Sequence, residues 1–343
     1  MKSAALLLVS LVLAAPGRAA EPPTAGHRVV ASFAVGGDGG WDYLTVDAAS
    51  RRVFISRGTH VAVIDADSGK VVGDIPGTEG VHGVALAPEL KKGFTSNGRA
   101  GTVSVFDLGS LAVTATIKVT GENPDAILYE PVSKRVFTFN GRGKNVTAID
   151  AASGAVAGTL PVGGKPEFAV SDAAGIIYVN IEDTAEVVAF DAKSLAVKGR
   201  WKLAGCEEPT GLSFDPKSNR IFAGCGNKVL AVMSAKDGKM LGTAPIGDGC
   251  DGTAFDPSTG LVFASNGGEG TLTILRETAP GTYGVVETVP TRKSARTLAL
   301  DPATHRVLLP AARFNPPPPP SPENPRPRPV AVAGSFEVLV VGR

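Results

Sequence analysis

The stretch Leu128-Tyr129-Glu130-Pro131-Val132-Ser133-Lys134-Arg135-Val136-Phe137-Thr138-Phe139-Asn140-Gly141-Arg142-Gly143-Lys144-Asn145-Val146-Thr147-Ala148-Ile149-Asp150-Ala151-Ala152-Ser153-Gly154 decides how this chain folds. A short apolar run closes on Glu130-Pro131. The carboxylate of such a pair accepts from turn N–H groups, and proline presets φ. A second run follows around Phe137, and a third runs from Val146 to Asp150. Ala151-Ala152-Ser153-Gly154 then reads as a turn into a fourth, outer strand. Four short strands separated by turn residues, with no sustained 3.6-residue apolar period, predict a four-stranded antiparallel unit.

The unit recurs along the chain. Phe54, Phe94, Phe137, Tyr178, Phe222, Phe263 and Leu308 mark its second strand, at steps of 40 to 45 residues. That is the period of propeller blades. Strand-turn segments equivalent to Leu128–Pro131 precede the markers, as in Leu212-Ser213-Phe214-Asp215-Pro216 and Leu298-Ala299-Leu300-Asp301-Pro302. A length of 343 residues suggests two or three domains. Seven repeats instead predict one all-β domain over 28–343, a seven-bladed β-propeller. The last unit stops at Arg343 without a fourth strand, and Arg28 to Gly36 reads like the outer strands elsewhere, such as Lys70 to Ile75. The N-terminal strand is therefore predicted to complete the last blade and close the ring, pairing two otherwise open edges.

The units resemble the YVTN-type (YncE-like) propeller repeat: a turn with Asp-Pro, a strand of the Tyr-Val-Thr-Asn kind, then Val-x-Val-Ile-Asp-x-x-x-Gly. Phe94-Thr95-Ser96-Asn97, Phe137-Thr138-Phe139-Asn140 and Phe263-Ala264-Ser265-Asn266 stand where that signature falls. The resemblance covers nearly all of 28–343 and implies a seven-bladed exported propeller with a binding or surface role. The fold is also similar to gluconolactonase and regucalcin-like propellers, whose functional residues do not carry over by motif.

In such a ring the innermost strand of each blade begins on the face where the second strand ends. Counting five residues back from the inner-strand turns gives Asp42, His82, Asp125, Glu167, Thr210, Asp251 and Arg296 around one channel mouth. The ends of the second strands add Arg57, Asn97, Asn140, Asn180, Glu182, Cys225 and Asn266, and Trp41 and Tyr43 are placed to wall the pocket. The expected ligand-binding set is Asp42, His82, Asp125, Glu167, Asp251, Arg296, Asn97, Asn140, Asn266, Trp41 and Tyr43. Converging carboxylates raise one another's pKa values unless a cation intervenes. Arg296 and a protonated His82 offset about half of the four negative charges. Carboxylate oxygens suit hard cations, so Asp125, Glu167 and Asp251 are the candidate ligands of a Ca²⁺ or Mg²⁺ ion, although no cofactor is demanded.

Cys206, Cys225 and Cys250 are expected near the same face, forming one disulfide and one spare thiol, with the pairing open. Nine of the 26 prolines lie between Pro316 and Pro329. This stretch makes 315–330 an extended insertion within the last blade, either disordered or a flap bringing Arg326 and Arg328 to the mouth. His305, in a turn on the opposite face, is expected to be solvated.

Residues 1–19 read as an export signal: Lys2, an apolar Ala4 to Ala15, then small residues at Gly17 and Ala19. Its removal turns the formal charge from +1 to −1, which excludes nucleic-acid binding through bulk positive charge. Metalloprotease, nucleophile-elbow and phosphate-loop motifs are absent. The expectation is a periplasmic or secreted, monomeric propeller with no transmembrane segment in its mature form. It would bind a small molecule, peptide or protein at a polar, acidic mouth. Two alternatives stand beside it: a metal-dependent, lactonase-like hydrolase using the same ring, and a structural surface module without a pocket.

Overall fold

A computed structural model of the chain describes residues 26–37, 39–321, 324–325, 327 and 329–343. The expected export signal, and Arg326 and Arg328 of the expected flap, lie outside the described residues. Seven four-stranded antiparallel sheets form a ring. Blade one runs Leu44–Asp47, Arg52–Ser56, Val61–Asp65 and Val71–Ile75 from the axis outward. Blades two to six repeat that order, and the only helical segments among the described residues are two short 3₁₀ turns, Pro88–Leu90 and Glu182–Thr184. No helix among them is long and apolar enough to cross a membrane.

Blade seven holds Ala299–Asp301, Arg306–Ala311 and Glu337–Gly342, and its outermost strand is Arg28–Ala34. Arg28 pairs opposite Gly342 and Ala34 opposite Glu337, so the two ends of the chain close the ring as the repeat arithmetic predicts. Arg57 fastens this junction. It is buried, its guanidinium carbon sits 3.7 Å from the centroid of the Phe336 ring, and it donates to the carbonyls of Gly36 and Gly37 at 2.7 and 3.2 Å.

The middle strands are apolar on both faces because each blade is covered on both. In Arg220–Cys225, Ile221 and Ala223 pack towards blade four, whereas Phe222 packs towards blade six. Seven buried clusters result, one at each junction between neighbouring blades. Outer strands leave side chains such as Val71 and Val72 in solvent. The acidic turns form as their composition requires. Glu130 accepts from the N–H groups of Val132 and Ser133 at 3.1 and 2.6 Å, and Asp301 from Ala303 N–H at 3.0 Å.

The proline-rich insertion leaves blade seven through a short neck. Phe314 bridges Ala331, and Asn315 N–H donates to the Val330 carbonyl at 2.9 Å. Pro316 to Pro320 are exposed and join no sheet, since proline supplies no ladder donor.

Candidate functional site

The mouth is built by the first residues of the innermost strands. In blades two to six the pairing of first and second strands slips at this end, between Val81 and Val84, Pro124 and Ile127, Pro166 and Ala169, Pro209 and Gly211, and Cys250 and Gly252. A lone irregularity would rotate one side chain out of the ring. Repeated at the same place in five blades, it keeps His82, Asp125, Glu167, Thr210 and Asp251 in phase. Hydroxyls tie neighbouring blades there: Thr297 Oγ1 donates to the Asp42 carbonyl and Thr210 Oγ1 to the Cys250 carbonyl, both at 2.7 Å.

The ring is a charge network. His82 Nδ1 lies 2.7 Å from Asp42 Oδ2 and 3.4 Å from Asp125 Oδ1. Arg296 bridges two acids, with Nη2 at 3.1 Å from Asp42 Oδ1 and Nη1 in contact with Asp251. Lys165 Nζ sits 3.1 Å from Glu167 Oε2 and also pairs with Glu182. Tyr43 lies buried beneath them, its ring centroid 5.1 Å from that of Phe168. Burial, then the charges of Asp125, Asp42, Glu167 and Asp251, holds its hydroxyl well above the usual tyrosine range.

These groups titrate away from their ordinary values for stated reasons. Burial pushes the Asp251 carboxyl up to about 7, outweighing the Arg296 guanidinium beside it. Burial also raises Glu167, reinforced by the Asp125 charge, and raises Asp125 against the pull of His82. Burial alone would lower His82, but the Asp42 hydrogen bond and the charges of Asp125 and Asp42 raise it above 6.5. The mouth therefore biases His82 towards the imidazolium and Asp251, Glu167 and Asp125 towards their neutral forms.

A cavity of about 640 Å³ opens onto this ring on the side of blades one to three. Its charged lining is Asp42, His82, Arg99, Glu122, Arg142 and Arg296. The four ring carboxylates have only 11–14 % of their side chains exposed, against 43 % for Arg296 and 77 % for Arg99. The mouth is acidic in composition, yet its ring acids are less exposed than the arginines that line the cavity beside Asp42 and Glu122. Gly98 makes room for the histidine: a Cβ there would stand 2.6 Å from His82 Nε2. Trp41 lines this cavity and also a second, more apolar one of about 440 Å³, which includes Phe314, Val330 and Phe336.

Of the residues singled out from sequence, Asp42, His82, Asp125, Asp251 and Arg296 are brought into one network, with Tyr43 below and Glu167 beside it. Asn97, Asn140 and Asn266 are not part of it. Each is buried in its blade, and its amide clamps the second strand to the third: Asn140 Nδ2 donates to Asn145 Oδ1 at 2.7 Å and Thr147 Oγ1 at 2.9 Å. Asn97 does the same with Thr102 and Ser104, and Asn266 with Thr271 and Thr273. Among the described residues, the potential metal-ligand atoms that converge belong to Asp42, His82 and Asp125, all within 4.8 Å of one another. The expected trio of Asp125, Glu167 and Asp251 does not come together in this way: Glu167 is held by Lys165, and Asp251 by Arg296.

Lys165 is the ring cation that sequence reading missed. It stands two residues before Glu167, where an extended backbone places both side chains on one side. Cys206 and Cys225 form the disulfide, leaving Cys250 free and buried, its thiol pushed up to about 12 by burial and so unreactive. His305 is not simply solvated, since its Nδ1 lies 3.1 Å from Asp256 Oδ2.

No protein-family model matches the chain, and no curated protein matches it in sequence. Solved structures match its fold. A chain of Kuenenia stuttgartiensis hydrazine synthase is 17 % identical with a TM-score of 0.70, the match covering 79 % of this chain and 92 % of that one. A chain of the mitotic checkpoint complex is 15 % identical with a TM-score of 0.75, covering 98 % of this chain and 99 % of that one. At these identities the likeness shows the seven-bladed β-propeller fold and nothing finer.

Proposed function

We propose that this chain is an exported propeller of the YVTN (YncE-like) kind that binds a small ligand at the mouth carrying Asp42, His82 and Arg296. The observation that carries this reading is the cavity of about 640 Å³ standing over a floor whose charged groups hold one another in fixed positions. A cavity of this size accommodates a small molecule, and a preorganised polar floor supplies orientation. A structural module would have its ring acids tied into neighbouring turns. Here Asp42 and Asp251 pair instead with cations on neighbouring blades, Asp42 with His82 and Arg296, and Asp251 with Arg296. The Cys206–Cys225 disulfide suits an oxidising compartment and so supports export.

The lactonase-like alternative requires several free oxygens around one hard cation. Asp42 is engaged by both His82 and Arg296, Asp251 by Arg296, and Glu167 by Lys165, which favours binding over metal-assisted hydrolysis. A thermal-shift screen of small anions, cations and neutral polyols tests the reading. A compound present at 100 times its Kd should stabilise the fold by about 2.7 kcal/mol, and His82→Gln and Arg142→Gln should abolish that gain. Stabilisation that survives both substitutions would place the ligand elsewhere.

A further inference from the structure

We infer that the ligand of this mouth carries an oxyanion, a carboxylate or phosphate group, held by Arg99, Arg142 and the Nε2–H of His82. The inference rests on the mouth being the ligand site and names what enters it.

Three observations converge. First, the cavity lining holds three guanidinium groups and one imidazole against two carboxylates, Asp42 and Glu122. Asp42 is already matched by His82 and Arg296, so it offers an incoming cation little. Second, the donors facing the cavity are unspent. Arg142 has no carboxylate partner among the described residues, and the nearest to Arg99 is Glu79 at 3.8 Å, between two exposed side chains. His82 Nδ1 is committed to Asp42 and Asp125, while Nε2, over Gly98, has no protein acceptor among the described residues. Third, the buried acids act as supports. Asp42 and Asp125 favour the imidazolium, and Asp42 with Asp251 fixes the plane of Arg296, whose side chain is 43 % exposed. The planar forks of Arg99 and Arg142, which no buried acid claims, suit the paired oxygens of a carboxylate or phosphate. Glu167 lies behind this layer, where burial raises its carboxyl and so weakens its repulsion of an anion.

Isothermal titration calorimetry on the full mature chain tests this, using inorganic phosphate, succinate, putrescine and glucose as probes. Phosphate or succinate should bind at about pH 6, and putrescine and glucose should not. Affinity should fall about tenfold or more in the Arg99→Gln/Arg142→Gln double variant, a loss of about 1.4 kcal/mol, and again in His82→Gln. Both arginines are surface groups, so the double variant should melt with the wild type; a matched melting temperature checks that it is folded. Oxyanion binding indifferent to these substitutions overturns the inference. Putrescine or glucose binding that mouth substitutions abolish overturns it too, while leaving the mouth as the ligand site. Failure of every probe at roughly 10 mM overturns the inference and counts against the mouth reading as well.

Discussion

Replacing Asn140 with alanine separates two roles for the asparagine that closes the second strand of a blade. From sequence it is a candidate ligand residue; in the fold it is a clamp. Its Oδ1 accepts from Thr138 Oγ1 at 3.0 Å, and its Nδ2 donates to Asn145 Oδ1 at 2.7 Å and Thr147 Oγ1 at 2.9 Å. The residue is fully buried. Three buried hydrogen bonds at about 1 kcal/mol each set the loss near 3 kcal/mol. Thr147 Oγ1 keeps its contact with Thr120 Oγ1 at 2.8 Å, so the hydroxyl is not orphaned and the loss moves down to about 2–3 kcal/mol. For a ring of this size that is a fall in melting temperature of about 3–5 °C. Calorimetry of Asn140→Ala without ligand should show it, and ligand affinity should stay unchanged. A variant that melts within about 1 °C of the wild type but binds ligand poorly would refute the clamp and restore the asparagine to the site.

Other perturbations follow from the same geometry. Removing Arg296, as in Arg296→Met, strands Asp251 and leaves Asp42 with His82 alone. A fully buried pair would lose about 3–5 kcal/mol, and the partial exposure of this guanidinium reduces the expected loss to about 2 kcal/mol in urea titration at pH 8. Asp251 is raised in the folded chain from its ordinary 3.8 to about 7, so its contribution is stabilising at low pH and is lost as pH rises from about 4 through 7. Asp251→Asn should flatten that decline by up to about 4 kcal/mol, read as melting temperature against pH. Deleting 317–328 should leave the melting temperature unchanged, because the Phe314–Ala331 neck sits on the blade side of the cut. Reducing the Cys206–Cys225 bond, which closes a loop of 19 residues, should cost about 3 kcal/mol in the same titration.

The ring was legible because its signals repeat. The strand pattern recurs seven times and the acidic turn six, Ala87 standing at that place in blade two, and the missing fourth strand of the last blade pointed to Arg28–Ala34. Counting back from the turns also placed Asp42, His82, Asp125, Asp251 and Arg296 around one mouth, and in blades two to six the slips in pairing recur at the same point of the inner strand. Counting gave the position of Asn97, Asn140 and Asn266 but not the direction of their side chains. A signal for that direction was present: each is followed at five and seven residues by hydrogen-bonding side chains, Thr102 and Ser104, Asn145 and Thr147, Thr271 and Thr273. In a tight hairpin those positions face the asparagine across the third strand. The sign of the cavity was harder to read. Composition gives four carboxylates at the mouth, whereas their depth relative to Arg99, Arg142 and Arg296 depends on the loops between blades, which carry no repeat.

The mouth is tested most directly by a crystal structure of the protein soaked with the compound that gives the largest thermal shift. Ligand density is expected over His82 and Arg296, with an anionic group against Arg142. Density confined to the cavity of Trp41, Phe314 and Phe336, or to any surface outside the mouth, would contradict it.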